Sequence, residues 1–136
     1  MLLRILIVED TPTRQEVLTR LCTDHAWILA HTARRAISLA QVYEFDLIFL
    51  DYDLAGAEKG DTVAAAIAQS PKREAKVIVH AMNAMGAQKI QALLPQAYLV
   101  PLSRITKDNA TFKRLRIALA NGPDVDWISL FKVEKL

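Results

Sequence analysis

The 136-residue chain is 52% hydrophobic and 24% charged, a composition for one domain with an ordinary core and no room for a second. Its 17 basic and 15 acidic side chains are too evenly balanced to argue for nucleic acid as a partner, and its one cysteine, Cys22, excludes an internal disulfide and fits a cytoplasmic protein. No apolar stretch approaches the length of a membrane span, and the first apolar run is interrupted by Arg4 and closed by two acids, unlike a secretory leader.

The run 2–8 is an apolar strand ending in Glu9-Asp10. Thr11 is placed to cap a helix that starts at Pro12, where the missing N–H costs nothing, and Val17, Leu18 and Leu21 form its buried side. Residues 27–30 read as a second strand and 33–42 as a second helix, with Ala36, Ile37 and Ala40 inward. Residues 47–50 form the third strand, which runs directly into Asp51. A loop over 55–60 leads to an alanine-rich helix, 62–69, stopped by Ser70-Pro71. Residues 77–79 are a fourth strand delivering His80, Ala81, Met82 and Asn83; 86–94 a helix; 98–100 a fifth strand ending at Pro101. Asp108 or Asn109 caps a last helix carrying Phe112, Leu115 and Leu119, and Asn121-Gly122-Pro123 ends it.

Five alternations of strand and helix with short connections imply an α/β fold: a parallel sheet covered on both faces, in the flavodoxin-like order 2-1-3-4-5. Residues 1–122 form this domain, and the apolar tail 123–136, with Trp127, Ile128, Leu130, Phe131 and Val133, docks on it or on a partner.

Ligands of open α/β sheets collect at the carboxyl ends of the strands, so Glu9, Asp10 and Asp51 converge on one rim. Three carboxylates together raise one another's pKa unless a cation neutralises them, and Mg²⁺ suits such oxygen donors with waters and phosphate oxygens completing its shell. Asp51 is then either a metal ligand or the nucleophile of a phosphoryl transfer. The bland alternative is a set of solvated strand ends and helix caps. His80 borders the same rim as a phosphate-binding group or an acid–base, against the alternative of a hydrogen-bonded structural histidine. His25 and His31 receive no role, and Cys22 reads as packing.

Leu6-Ile7-Val8-Glu9-Asp10, the proline-started helix after it, and Asp46-Leu47-Ile48-Phe49-Leu50-Asp51 resemble the CheY-like receiver domains of bacterial response regulators. The resemblance covers roughly residues 1–120. It implies that Asp51 is the phosphoacceptor, that Glu9 and Asp10 help hold Mg²⁺, and that Asp53 sits where a backbone carbonyl joins the metal. Two receiver features are missing: a Thr or Ser after the fourth strand, where His80 and Ala81 stand, and a lysine after the fifth, where Val100-Pro101 stands. Arg104 and Lys107 are the candidate substitutes for the missing cation, against the alternative that both point to solvent. Ser103, in a loop after the fifth strand, is the candidate for the displaced hydroxyl, against a structural role. The stretch Val79-His80-Ala81-Met82-Asn83-Ala84-Met85-Gly86, with Leu50-Asp51-Tyr52-Asp53-Leu54 and Gly60-Asp61, looks like the atypical receiver branch described as cyclic-phosphate processing. That branch implies that Asn83 orients a phosphate and that Gly86 lets a helix N-terminus approach an anion.

Three functions are compatible with these residues. The first is a Mg²⁺-binding receiver in two-component phosphorelay signalling, a phosphoprotein with no output or DNA-binding domain. It would work through a histidine kinase or downstream effector met on its last strand and helix, or through a homodimer. The second is a phosphoesterase that uses the same pocket and His80 on a cyclic phosphate, such as an RNA end. The third is a degenerate receiver serving only as an interaction scaffold.

Overall fold

The computed structural model describes residues 1–70 and 74–132. Five strands, β1 (Arg4–Val8), β2 (Ala26–Ala30), β3 (Leu47–Leu50), β4 (Lys76–Val79) and β5 (Tyr98–Leu99), pair in parallel in the order β2-β1-β3-β4-β5. The helices are α1 (Pro12–Leu21), α2 (Ala33–Val42), α3 (Gly60–Gln69), α4 (Ala84–Leu93), α5 (Leu102–Ile105), α6 (Asn109–Ala120) and α7 (Trp127–Phe131). This is the expected flavodoxin-like architecture. The apolar runs β1, β3 and β4 are buried on both faces, as central parallel strands require, and side chains alternate between two cores. Leu6, Val8, Ile48, Leu50, Val77 and Val79 face α2, α3 and α4. Ile5, Ile7, Leu47, Phe49 and Ile78 face the other way, towards Leu18 of α1 and Leu115 of α6.

The register of the three central strands places the polar residues at their ends. Val8 pairs with Leu50, and Leu50 with Val79, so Glu9, Asp51 and His80 are the next residues along three adjacent strands. The ladder runs on through them: Asp51 N–H donates to Val8 O at 3.1 Å and His80 N–H to Leu50 O at 3.2 Å.

Several local expectations need correction. Thr11 is the α1 N-cap residue but makes no side-chain capping bond; its hydroxyl donates to Asp10 Oδ1 at 3.3 Å instead. Helix α3 starts at Gly60 and α4 at Ala84, each two residues earlier than the apolar pattern suggested; α4 does so because Asn83 caps it by accepting from Gly86 N–H at 3.0 Å. Strand β5 keeps only two residues, and Ser103 lies in the short helix α5 rather than in a loop. Asp108, not Asn109, is the α6 cap. Pro71 and Val133 lie outside the described residues.

Cys22 and His25 are buried away from the rim. Cys22 is fully buried, which pushes its thiol up to about 12, and His25 Nδ1 accepts from Leu3 N–H at 3.0 Å. Arg4 and Asp46 pair at 3.2 Å near the strand starts.

Beyond α6, Asp126 caps α7 and the chain turns Trp127 and Phe131 into the second core. Trp127 stacks on Phe131, with ring centroids 5.9 Å apart, and meets Phe49 edge-on at 6.4 Å. Phe49 in turn lies 6.4 Å from the His80 ring, so α7 supports the floor beneath the rim. Trp127→Ala is expected to cost about 3–5 kcal/mol, read as a lowered urea midpoint with an unchanged slope. A change below about 0.5 kcal/mol would mean that the α7 segment is an appendage.

Candidate functional site: an acidic pocket at the strand ends

The row past Val8, Leu50 and Val79 carries three ionisable side chains almost sealed from water: Glu9 is 0% exposed, Asp51 1% and His80 1%. Each offers one ligand atom, and those atoms lie within 4.8 Å of one another. His80 Nε2 and Glu9 Oε1 are 2.9 Å apart, and Glu9 Oε2 accepts from Thr11 N–H at 3.0 Å, so both Glu9 oxygens are engaged. Asp51 Oδ1 accepts from Tyr52 N–H at 2.8 Å. Its other oxygen, Oδ2, is buried with no hydrogen-bond partner, and so is His80 Nδ1.

The two carboxyls are pushed in opposite directions. Burial raises Glu9, but the hydrogen bond and charge of His80, helped by Thr11 N–H and Arg14, bring it below the usual carboxylate range. Burial also raises Asp51, the charge of Glu9 adds to the rise, and the opposing His80, Tyr52 N–H and Arg14 leave it at about 6. Glu9 is therefore the settled anion of the pair. Asp51 is the carboxylate held against its own ionisation, because its burial and the Glu9 charge outweigh His80, Tyr52 N–H and Arg14.

Asp10 and Asp53 stand at the edge of this cluster rather than in it. Asp10 is half-buried beside Thr11, and the exposed Asp53 accepts from Asn83 Nδ2 at 3.4 Å. Asn83 divides its amide between that acid and the α4 cap. Arg104 is not brought to the rim: its Nη1 donates to Phe131 O at 2.7 Å, in a groove shared with Lys107 and Arg114. The same groove holds Lys107, so neither expected cation meets Asp51. A cation that sequence reasoning missed does: Arg14 of α1 places Nη1 3.5 Å from Asp51 Oδ2. Its only sequence signal was a basic residue in the first turn of the helix that follows Glu9-Asp10.

Gly86 is the third residue of α4 rather than its first. A Cβ there would overlap Tyr52 Cγ, so the glycine provides the notch that seats the Tyr52 ring against α4. Lys89, one turn on, lies 5.6 Å from the ring centroid. Gly60 is comparable, since a Cβ would run into Asp51 O. Gly60 thus lets α3 close on the Asp51-Tyr52 peptide, and Gly86 lets α4 close on the Tyr52 ring.

The donor set suits a divalent cation. Asp51 Oδ2 is an unspent, buried oxygen acceptor, and carboxylate oxygens with added waters are what Mg²⁺ takes. The further acids Asp10 and Asp53 lie one or two residues from the cluster members, where they can add oxygens.

Comparison with known proteins gives a consistent picture. A family model described as the cyclic-phosphate processing receiver domain matches residues 4–96. A protein-glutamate methylesterase/protein-glutamine glutaminase 3 of Myxococcus xanthus is 36% identical over 75 residues, which are 52% of this chain and 21% of that protein. The chain thus matches only about a fifth of that relative. The response regulator TrrA of Thermotoga maritima, solved with Mg²⁺ and BeF, is 23% identical with a TM-score of 0.66, covering 84% of this chain and 99% of that one. The receiver domain of a Pseudomonas aeruginosa sensor histidine kinase, solved with magnesium in its active-site cleft, is 20% identical with a TM-score of 0.64, covering 85% and 98%. At these identities the two solved structures show the shared fold.

The electrostatics make a direct prediction. Folding raises Asp51 from about 4 in the open chain to about 6, so its ionisation destabilises the native state. That penalty is absent below about pH 4 and complete above about pH 6. In cation-free buffer at pH 7, Asp51→Asn should stabilise the protein by about 1–3 kcal/mol, the gain vanishing as the pH falls towards about 4. Equal stabilities across that range in chemical denaturation would contradict the assignment. A second prediction concerns the notch: Gly86→Ala should cost about 1–3 kcal/mol by forcing Tyr52 out, and should lower the tyrosine's protection from solvent quenching.

Proposed function

We propose, for a chain that belongs to the cyclic-phosphate processing receiver family, that the pocket around Asp51 binds a divalent cation, Mg²⁺ first, together with a phosphoryl group. The observation that carries this is the buried Asp51 Oδ2, which accepts no hydrogen bond, in one row with Glu9 and His80. Asp51, Asp10 and the Asp53 segment, with Glu9 behind them, would hold the cation, which would neutralise charge on the phosphate oxygens.

In the reading we put first, the chain is a receiver in phosphorelay signalling and Asp51 is its phosphoacceptor. Tyr52 N–H fixes Oδ1 and so leaves Oδ2 as the attacking oxygen. Oδ2 forms a bond to phosphorus while the donor's bond to phosphorus breaks, and the donor leaves with the electron pair. The Tyr52 ring then links the Asp51 peptide to α4 through the Gly86 notch, and the neighbouring surface of α4, β5 and the C-terminal helices would meet a kinase, an effector or a second copy. Exposed Met82 and Met85 give that surface an apolar component.

One observation favours a second reading. His80 and Glu9 form a sealed pair 2.9 Å apart, and His80 has a second nitrogen with no partner. Such a pair suits an acid–base role towards a phosphate ester, and a cyclic phosphate such as that of an RNA end fits the family's description.

One set of reactions separates the readings. With Mg²⁺ and acetyl phosphate, the intact mass should rise by one phosphoryl group in wild type and not in Asp51→Asn; no gain at high donor concentration would count against the phosphoacceptor. Turnover of a nucleoside 2′,3′-cyclic phosphate that is lost in His80→Gln would support the esterase reading. Glutamine is preferred to alanine there because it can still hydrogen-bond Glu9, whose unpaired burial would cost about 3–5 kcal/mol. Neither activity would leave an interaction scaffold.

A further inference from the structure

A phosphoryl group on Asp51 adds about −1.5 to −2 charges. Those charges would arrive beside buried Glu9 and close to Asp10 and Asp53. A cation held only by these acids would be shared among them, so the incoming oxygens need a positive group of their own. The strand ends do not provide one: Val100 is fully buried and apolar, Pro101 follows it, and Arg104 is tied to Phe131 O. Among the described residues, Arg14 is the Lys or Arg that forms an ion pair with the acids of the pocket.

Arg14 is held in place by the start of its helix. Pro12 opens α1, and Thr11 O accepts from both Arg14 N–H and Gln15 N–H, at 3.0 and 2.9 Å. Gln15 Nε2 donates to Glu9 O at 2.8 Å, which latches the first turn of α1 to the end of β1. From that turn the guanidinium reaches Asp51 Oδ2 at 3.5 Å, facing the oxygen without a hydrogen bond to it. Its donors are therefore not spent on Asp51, and the side chain is 37% exposed, so a phosphate arriving from solvent can reach it. Its charge also acts on Glu9. An arginine is suited to this place because its planar fork matches two phosphate oxygens, and the positive end of α1 adds to the field.

We propose that Arg14 is the anion-binding cation of this pocket, its guanidinium clamping the oxygens of a phosphoryl group carried on Asp51 Oδ2. This rests on the phosphoryl-binding reading of the pocket. It assigns to α1 the role of the element that feels the arrival of phosphate.

The test uses the whole 136-residue chain as wild type, Arg14→Gln and Arg14→Lys. Each is treated with Mg²⁺ and acetyl phosphate and followed by intact mass, and each is titrated separately with Mg²⁺ alone by calorimetry. In the transfer the Asp51 Oδ2–P bond forms and the P–O bond to the acetyl group breaks, acetate leaving with the electron pair. Loss of a charge-assisted contact predicts that Arg14→Gln carries about tenfold to hundredfold less adduct, with Arg14→Lys intermediate. Mg²⁺ affinity should hold or increase in both, since a competing positive charge has been removed or shortened. Adduct in Arg14→Gln within about twofold of wild type would overturn the assignment, since a net charged contact is worth more than that. A parallel loss of Mg²⁺ affinity and adduct would also overturn it, because Arg14 would then be shaping the pocket rather than binding phosphate. If wild type binds Mg²⁺ but takes no phosphoryl group, the underlying reading fails and the Arg14 assignment falls with it.

Discussion

The pocket depends on one register: Val8 opposite Leu50, and Leu50 opposite Val79. Side chains of a strand alternate with period two, so a one-residue slip of any of the three strands would turn its terminal polar group to the opposite face. The apolar residues on both faces forbid such a slip, because it would drive Phe49 into the core built by Leu6 and Ile48 and empty its place against Trp127. Ordinary hydrophobic packing therefore fixes the chemistry. It sets Glu9, Asp51 and His80 in one row at the carboxyl end of the sheet, on the face of Phe49.

Burying three ionisable groups together costs free energy that only mutual pairing can offset. The pairing is asymmetric. Glu9 takes His80 and Thr11 N–H and settles below the usual carboxylate range, whereas Asp51 gets one backbone N–H and an arginine beyond hydrogen-bonding contact. The pocket is thus neutralised around Glu9 and left incomplete around Asp51. An incomplete, buried oxygen at the mouth of a parallel sheet is a place where a cation or a phosphorus atom gains more than it would in water.

The sheet order and the row of acids could be read from the chain because both rest on local pattern: continuous apolar runs for the strands, helical spacing between them, and acids where the runs stop. Helix α2 and strand β3 have the expected bounds for that reason. What escaped depends on distance in space. Arg14 reads as an ordinary solvent-facing residue of α1 until the helix is docked over β1 and β3. Gly86 reads as a helix opener until Tyr52 is seen to fill its notch, and Arg104 as a free cation until α7 brings the Phe131 carbonyl to it. Helix α7 itself has only five residues, too short for periodicity to show, and its aromatic residues declare themselves only against Phe49. The resemblance to receivers located Asp51 correctly in the row. It could not say which residues stand in for the missing lysine and hydroxyl.

The central claim is that Asp51 is the incomplete member of the pocket and that a divalent cation completes it. A calorimetric titration of Mg²⁺ at pH 7 into wild type and Asp51→Asn tests this most directly. The account predicts saturable one-site binding in wild type that is lost in Asp51→Asn, although the variant is folded and more stable without the ion. Equal binding by both proteins, or none by wild type at millimolar Mg²⁺, would contradict it.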